Sequence, residues 1–131
     1  MNVPNHQSRV YNHVVEMLSG VENPTPLLRL HRTVPFTQAR VYAKLEWYNP
    51  FGSVKDRVAA QMMREARERG LLSKGQALVE PTSGNTGMGL AMMANVEGYS
   101  LTTPLSKEIP AEKRAMLRFF GSNVEELDDT L

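Results

Sequence analysis

The order of the predicted elements limits the fold of this chain more than any other feature of its sequence. Apolar residues alternate over residues 40–46, as in a half-buried strand, and a helix-like pattern follows from Ser53. Further strand-like and helix-like stretches then alternate along the chain at residues 77–80, 86–96, 99–103, 110–120 and 123–127. This β-α-β-α-β-α-β order predicts an α/β fold, an open parallel sheet of about four strands with covering helices in three α/β/α layers.

Local signals add detail to two of the helices. Residues 8–18 place apolar residues on one helical stripe and predict a short helix. Ser53 can cap the later helix, with Asp56 three residues on to complete a capping box. The buried stripe of that helix is expected at i+4 spacing, at Val54, Val58, Met62 and Ala66.

Composition excludes several classes of function. The chain has no cysteine, so it holds no disulfide, no thiolate nucleophile and no zinc site built on sulfur. Its 15 Lys and Arg are interspersed with 14 Asp and Glu, so no basic surface for nucleic acid or anionic membrane is predicted. His6, His13 and His31 form no i,i+4 pair, and no metal site is predicted. The start resembles no secretory signal, and we expect a cytoplasmic protein.

The first candidate for chemistry is Lys55, in the segment Asn-Pro-Phe-Gly-Ser-Val-Lys-Asp-Arg at residues 49–57. It falls in the first turn of its predicted helix, where the helix dipole opposes a cation by about 0.3–1 kcal/mol. The same field favours the uncharged amine, the form that attacks a carbonyl to make a Schiff base. The residue pattern alone leaves two interpretations open: a solvated surface lysine, or a reactive amine at the ligand-binding edge of a parallel sheet.

The second candidate is a polar loop, Thr-Ser-Gly-Asn-Thr-Gly at residues 82–87, between a predicted strand and the next helix. It offers hydroxyls, a carboxamide and backbone N–H groups at a helix N-terminus, which together can bind a carboxylate or a phosphate. The spacing of its glycines matches neither a Walker A loop nor a dinucleotide-binding fingerprint. A well-capped turn would explain the same pattern, so both interpretations stay open.

Taken together, the two segments resemble signatures of pyridoxal-phosphate enzymes of the cysteine synthase and cystathionine β-synthase family. Residues 49–57 and residues 80–87, Glu-Pro-Thr-Ser-Gly-Asn-Thr-Gly, match those signatures in order and spacing. Smaller supporting pieces lie elsewhere in the chain: Thr25-Pro26-Leu27, Ala43-Lys44-Leu45-Glu46, Glu112-Lys113-Arg114 and Phe120-Gly121-Ser122. The resemblance runs over residues 23–127 and implies the fold type II of these enzymes.

The resemblance implies a role for each matching residue. Lys55 is expected to bind pyridoxal phosphate covalently and later to take the α-proton of the substrate. Asn85 is expected to hydrogen-bond the ring hydroxyl of the cofactor, while Thr82, Ser83, Asn85 and Thr86 hold the substrate α-carboxylate. The implied reaction is β-replacement, in which serine or an O-activated serine loses its β-substituent and sulfide or a thiol adds.

The resemblance also implies parts that this sequence does not contain. Members of the family are longer, and their cofactor-phosphate loop and the hydroxyl residue that faces the pyridine nitrogen lie downstream in a larger domain. We therefore predict a truncated or fragmentary enzyme. Residues 1–39 are expected to pack on that larger domain, and residues 40–131 to form most of the smaller α/β domain. This chain alone is expected to hold the cofactor weakly and to turn over little substrate.

Two other functions stay open. A dehydratase-type lyase of the same fold would release a 2-oxo acid without consuming a thiol. A non-catalytic module would instead self-associate through the open edge of its sheet. The partners expected for the β-replacement enzyme are an amino-acid substrate and sulfide or a thiol, with neither nucleic acid nor membrane, and a homodimer or other self-association.

Overall fold

The computed structural model describes residues 10–128 and confirms an α/β fold with an open parallel sheet and covering helices. The elements of this part of the chain are β1 (Leu27–Leu30), β2 (Val41–Lys44), α1 (Lys55–Glu68), β3 (Ala77–Val79), α2 (Asn85–Glu97), β4 (Ser100–Ser106), α3 (Ala111–Phe119) and β5 (Ser122–Leu127). Short 3-10 turns occur at Val14–Met17 and Glu46–Tyr48. No helix within residues 10–128 is both long and apolar enough to cross a bilayer.

The parallel sheet has the strand order β3-β4-β5. Leu101, Thr103 and Leu105 of the central strand are buried and alternate with half-buried residues, so one face of β4 packs on the core. This strand continues through Pro104, beyond the end predicted at residue 103. The pairing of β4 with β3 ends at Thr102. Proline is therefore tolerated at position 104, because no strand on that side needs a hydrogen bond from its backbone nitrogen.

The core is built around α2, which is buried on nearly all sides. Its buried residues run from Gly87 to Ala94 with one half-buried residue between them, and it packs against α1, α3, β4 and β5. Both crossovers of the sheet are expected to be right-handed, which places α2 and α3 on the same face. Among the contacts of these elements, α1 packs on α2, α2 packs on β4 and β5, and α3 packs on β5.

α1 buries a different face from the one predicted. The side chains that it buries are Asp56, Ala59, Ala60 and Met63. The predicted stripe was wrong, because Val54, Val58 and Met62 are exposed and Ala66 is only half-buried. The prediction favoured the larger apolar side chains. Where α1 contacts Gly89 of α2, only short side chains fit between the two helices. Even a Cβ at Gly89 would lie 2.9 Å from the Cβ of Ala59 on α1.

The first predicted strand does not join the parallel sheet. β2 pairs antiparallel with β1, with Leu27 opposite Lys44 and Leu30 opposite Val41, so the parallel sheet has three strands where about four were expected. Residues 27–30 form a short apolar run that is typical of neither helix nor strand, so no partner for β2 was predicted there. This pairing joins residues on both sides of the domain boundary predicted at residue 40.

The short helix predicted at residues 8–18 does not form in the part of that segment that the structure describes. Residues 10–18 contain only the 3-10 turn at Val14–Met17, and residues 8 and 9 lie outside the described range. His13, which precedes the turn, makes no side-chain capping hydrogen bond. A short segment without a cap gains too little from helical hydrogen bonds to offset the cost of nucleation.

Replacing Gly89 tests the contact between α1 and α2. In Gly89→Ala the new Cβ would lie 2.9 Å from Ala59 Cβ and 3.4 Å from backbone atoms of Lys55 and Asp56. We expect the free energy of unfolding of the full-length protein to fall by about 1–3 kcal/mol, the usual cost of overpacking. Gly84→Ala is the matched control, since its Cβ meets nothing within 4 Å. Urea-induced unfolding measures both, and equal midpoints for the two variants would contradict the prediction.

Candidate active site

The two candidate loops become neighbours because the two helices that follow them pack together. α1 begins at Lys55 and α2 at Asn85, so the polar residues of each loop lie at the start of a helix. A Cβ at Gly89, one turn into α2, would lie 3.4 Å from the carbonyl oxygen of Lys55. Since β2 lies outside the parallel sheet, this helix contact joins the loops, and not the shared sheet edge that the sequence suggested.

Lys55 presents an exposed amine. Within residues 10–128 its ammonium group has neither a hydrogen-bond partner nor an ion-pair partner. Its backbone N–H donates to the hydroxyl of buried Ser53 at 3.1 Å, so this serine satisfies one of the N–H groups that a helix start leaves open. The backbone of the lysine is therefore held, while its side chain is available for chemistry.

Asp56, directly after Lys55, is fully buried. Its Oδ2 accepts a hydrogen bond from the Phe51 N–H at 2.7 Å, which ties the preceding turn to the first turn of α1. Burial raises the pKa of Asp56 above its usual range, and the backbone N–H groups of Phe51 and Ser53 partly offset this. The capping box predicted between Ser53 and Asp56 does not form: Val54 is the N-cap residue, Ser53 Oγ accepts from the Lys55 N–H, and Asp56 accepts from the Phe51 N–H instead.

A polar cluster holds the other side of the same loop. Arg57 donates to Glu46 twice, from Nε to Oε2 at 2.8 Å and from Nη2 to Oε1 at 3.1 Å. It also donates to Thr25 Oγ1 at 3.1 Å and to the carbonyl oxygen of Ser19 at 3.4 Å. Lys44 Nζ donates to both oxygens of buried Thr25, and Thr25 Oγ1 donates to Glu46. The hydrogen bond from Arg57 is the main reason that the pKa of Glu46 is lowered to about 2.

The members of this cluster belong to sequence motifs named above, but no role was predicted for them. Thr25, Lys44, Glu46 and Arg57 lie in three of the segments that carry the family resemblance. The available signal was a set of charged residues beside the lysine segment. That signal could not show which residues meet, because Arg57 bonds to Glu46 and Thr25, which lie 11 and 32 positions away along the chain.

The second loop offers a row of unused donors. Within residues 10–128, the backbone N–H groups of residues 82–86 have no hydrogen-bond acceptor, and the side chains of Ser83, Asn85 and Thr86 form no hydrogen bond. Thr82 differs, because its Oγ1 accepts a hydrogen bond from the Gly87 N–H at 3.2 Å and keeps its own proton to donate. Such an arrangement at the start of a helix can bind a carboxylate.

A cleft of about 320 Å³ opens beside this loop, between the starts of α2 and α3. The residues that line it are Ser83, Gly84, Asn85, Met88, Glu112, Lys113, Met116 and Leu117. Its volume is at the lower end of the range for small-molecule sites. The contribution of α3 was not predicted. No cluster of three histidine, aspartate or glutamate side chains suited to a metal ion occurs in the described part of the chain.

The charge on Glu46 makes a testable contribution to acid stability. Because its pKa is lowered to about 2 from 4.5, its stabilising effect is complete above about pH 4.5 and is lost as the pH falls towards 2. We expect Glu46→Gln to lower the thermal unfolding midpoint of the full-length protein at pH 6, and its difference from wild type to shrink progressively below pH 4.5.

Glu65→Gln is the control for that measurement, because Glu65 forms an exposed i,i+4 pair with Arg69 on α1. Such pairs contribute only about 0.3–0.5 kcal/mol, so the control should change little at either pH. A difference between wild type and Glu46→Gln that stays constant from pH 6 to pH 2 would contradict the assignment.

Comparison with known proteins identifies relatives for most of the chain. The family model described as pyridoxal-phosphate dependent enzyme matches residues 18–131. A probable cysteine synthase of Bacillus subtilis (strain 168) is 49% identical over 111 residues, which cover 85% of this chain and 36% of the relative.

Solved structures with the same fold include a cysteine synthase from Entamoeba histolytica, with a TM-score of 0.84 and 30% identity over 98% of this chain and 38% of that one. An O-ureido-L-serine synthase superposes with a TM-score of 0.81 and 35% identity, over 92% of this chain and 36% of that one. The chain therefore spans little more than a third of the length of the proteins that it matches.

Proposed function

Because the chain belongs to the family of pyridoxal-phosphate dependent enzymes, whose cofactor is pyridoxal phosphate, we propose that it carries the cofactor lysine of a cysteine-biosynthesis enzyme. The proposed reaction is β-replacement on serine or an O-activated serine, with sulfide or a thiol as the incoming group. The observation that carries the proposal is that an unpaired amine at Lys55 and unused donors at residues 82–86 begin two helices that pack together. The similarity to a probable cysteine synthase and to an O-ureido-L-serine synthase supports it.

The residues of the site fit this cofactor. Lys55 offers a primary amine at a helix start, where it can bond covalently to an aldehyde carbon. Asn85 is exposed and its carboxamide forms no hydrogen bond within residues 10–128, so it can donate to a ring oxygen. Gly89 lets the start of α1 approach α2 closely, at 3.4 Å from its Cβ position to the Lys55 carbonyl oxygen, and we propose that a ligand held by Lys55 extends from there to Asn85.

Each residue then has a distinct task. Lys55 would hold the cofactor through Nζ, and Asn85 would donate an N–H to its ring hydroxyl oxygen. Thr82, Ser83 and Thr86, with the backbone N–H groups around them, would bind the substrate α-carboxylate, which the dipole of α2 also favours. When bound, pyridoxal phosphate withdraws electrons from the substrate Cα, which makes the α-proton acidic. The Nζ atom of Lys55, once the substrate amine has replaced it on the cofactor, would be a free amine and would accept that proton.

Replacement of Lys55 tests the proposal. Pyridoxal phosphate added to the full-length protein should produce a visible absorbance band and, after borohydride reduction, a stable adduct on the peptide that contains Lys55. Lys55→Ala should show neither, and its rate of β-replacement should fall by at least about a hundredfold, because an oriented amine is lost. Lys74→Ala is the control, since Lys74 lies exposed in the turn between α1 and β3.

Two outcomes would contradict the proposed function. An absorbance band of equal strength in wild type and Lys55→Ala would leave Lys55 without a role in cofactor binding. Steady release of pyruvate from an O-activated serine, with no consumption of sulfide or thiol, would instead favour a dehydratase-type lyase.

Several inferences from the sequence stay predictions. They are the division into residues 1–39 and 40–131, weak cofactor binding by this chain alone, self-association and a cytoplasmic location. Sedimentation of the full-length protein at several concentrations would test the predicted self-association.

A further inference from the structure

The position of Lys55 is set by its chain neighbours and not by contacts of its own side chain. Its ammonium group has no partner within residues 10–128, whereas the two residues after it are both anchored. Asp56 is held by the Phe51 N–H, and Arg57 by Glu46. We propose that the pair Arg57–Glu46 is a positioning pair, which fixes the first turn of α1 so that the amine of Lys55, and no other lysine, reacts with the aldehyde of pyridoxal phosphate. This inference rests on the proposed function.

The geometry of the pair suits that role. Two hydrogen bonds, at 2.8 and 3.1 Å, join the planar guanidinium of Arg57 to both oxygens of Glu46, so the contact fixes orientation as well as distance. Glu46 lies just before the loop and Arg57 just inside α1, 11 positions later. The pair therefore joins the two ends of the segment that carries Lys55 and limits how far they can move apart.

Other members of the polar cluster keep the pair in place. Asn49 donates to the carbonyl oxygen of Glu46 at 2.7 Å and to its Oε2 at 2.8 Å. Thr25 Oγ1 lies between the two charges, donating to Glu46 Oε1 at 3.0 Å and accepting from Arg57 at 3.1 Å. Asn49 and Thr25 are almost fully buried, whereas the side chains of Arg57 and Glu46 are 34% and 25% exposed, so the pair is shielded from water on the side of its neighbours only.

A lysine cannot replace Arg57 in this arrangement. An ammonium group is a single point of charge and cannot bond both carboxylate oxygens with fixed geometry. Arg57→Lys therefore keeps the positive charge but loses the fixed two-point bond to Glu46. The variant distinguishes an effect of geometry from an effect of charge alone. Glu46→Gln is the complementary change, because it keeps the shape of the partner and removes its charge.

The test measures where pyridoxal phosphate reacts. The full-length protein is incubated with pyridoxal phosphate and reduced with borohydride, and mass spectrometry gives the ratio of adduct on Lys55 to adduct on exposed Lys74. We expect a high ratio in wild type and a fall of about tenfold or more in Arg57→Lys and in Glu46→Gln, since small displacements of a reacting group are costly. The double variant Glu46→Gln/Arg57→Lys should fall no further than the worse single variant, because both changes remove one interaction.

Two controls distinguish positioning from a general loss of stability. Arg69→Lys makes the same chemical change at an exposed pair at the C-terminal end of α1 and should leave the ratio unchanged. Met63→Ala weakens the buried face of α1 without touching the pair. If Met63→Ala lowers the ratio as much as Arg57→Lys at the same loss of thermal stability, the pair is only structural and the inference is overturned.

Failure of the inference and failure of the proposed function give different results. If wild type labels Lys55 and Lys74 equally, Lys55 is not the cofactor lysine, and both fail. If wild type is selective and Arg57→Lys is equally selective, the proposed function stands and the positioning role is wrong.

Discussion

The packing of α1 against α2 at Gly89 is the contact on which the candidate site depends. The loop before α1 does not follow a strand of the parallel sheet, so the sheet cannot carry Lys55 to its partners. Only the approach of the two helices does so, and it is close because Gly89 has no side chain and faces Ala59. A requirement for small residues at one crossing thus decides where an amine and an anion-binding loop meet.

The site combines groups that are held with groups that are left unpaired. Asp56, Arg57 and Glu46 are committed to hydrogen bonds that order the first loop. Lys55 and the donors at residues 82–86 have no partners within the described residues. This is the arrangement expected of a binding site, because committed groups provide rigidity and uncommitted groups remain available to a ligand. The pKa of Glu46, lowered to about 2, keeps its carboxylate charged well below neutral pH.

The sequence predicted the alternation of elements because local signals carry it. Gly98, for example, ends α2 with φ of +78°, a left-handed conformation that glycine adopts without strain. Two of the predictions that failed concern partners. β2 was assigned to the parallel sheet because alternation reveals a strand but not what it pairs with. The stripe on α1 was displaced because apolar size does not reveal that a glycine lies opposite.

The sequence by itself determined the α/β class, the bounds of α1 and α2 to within a few residues, and the two segments with unusual chemistry, since each depends on residues close together in the chain. Only the tertiary structure decided that Lys55 lies beside the second loop through a helix contact, and that Arg57 bonds to Glu46 and Thr25. Those contacts join residues 11 and 32 positions apart, and long-range packing brings them together by filling space and pairing charge. No pattern of neighbouring residues in the sequence shows which distant residues will pack or pair.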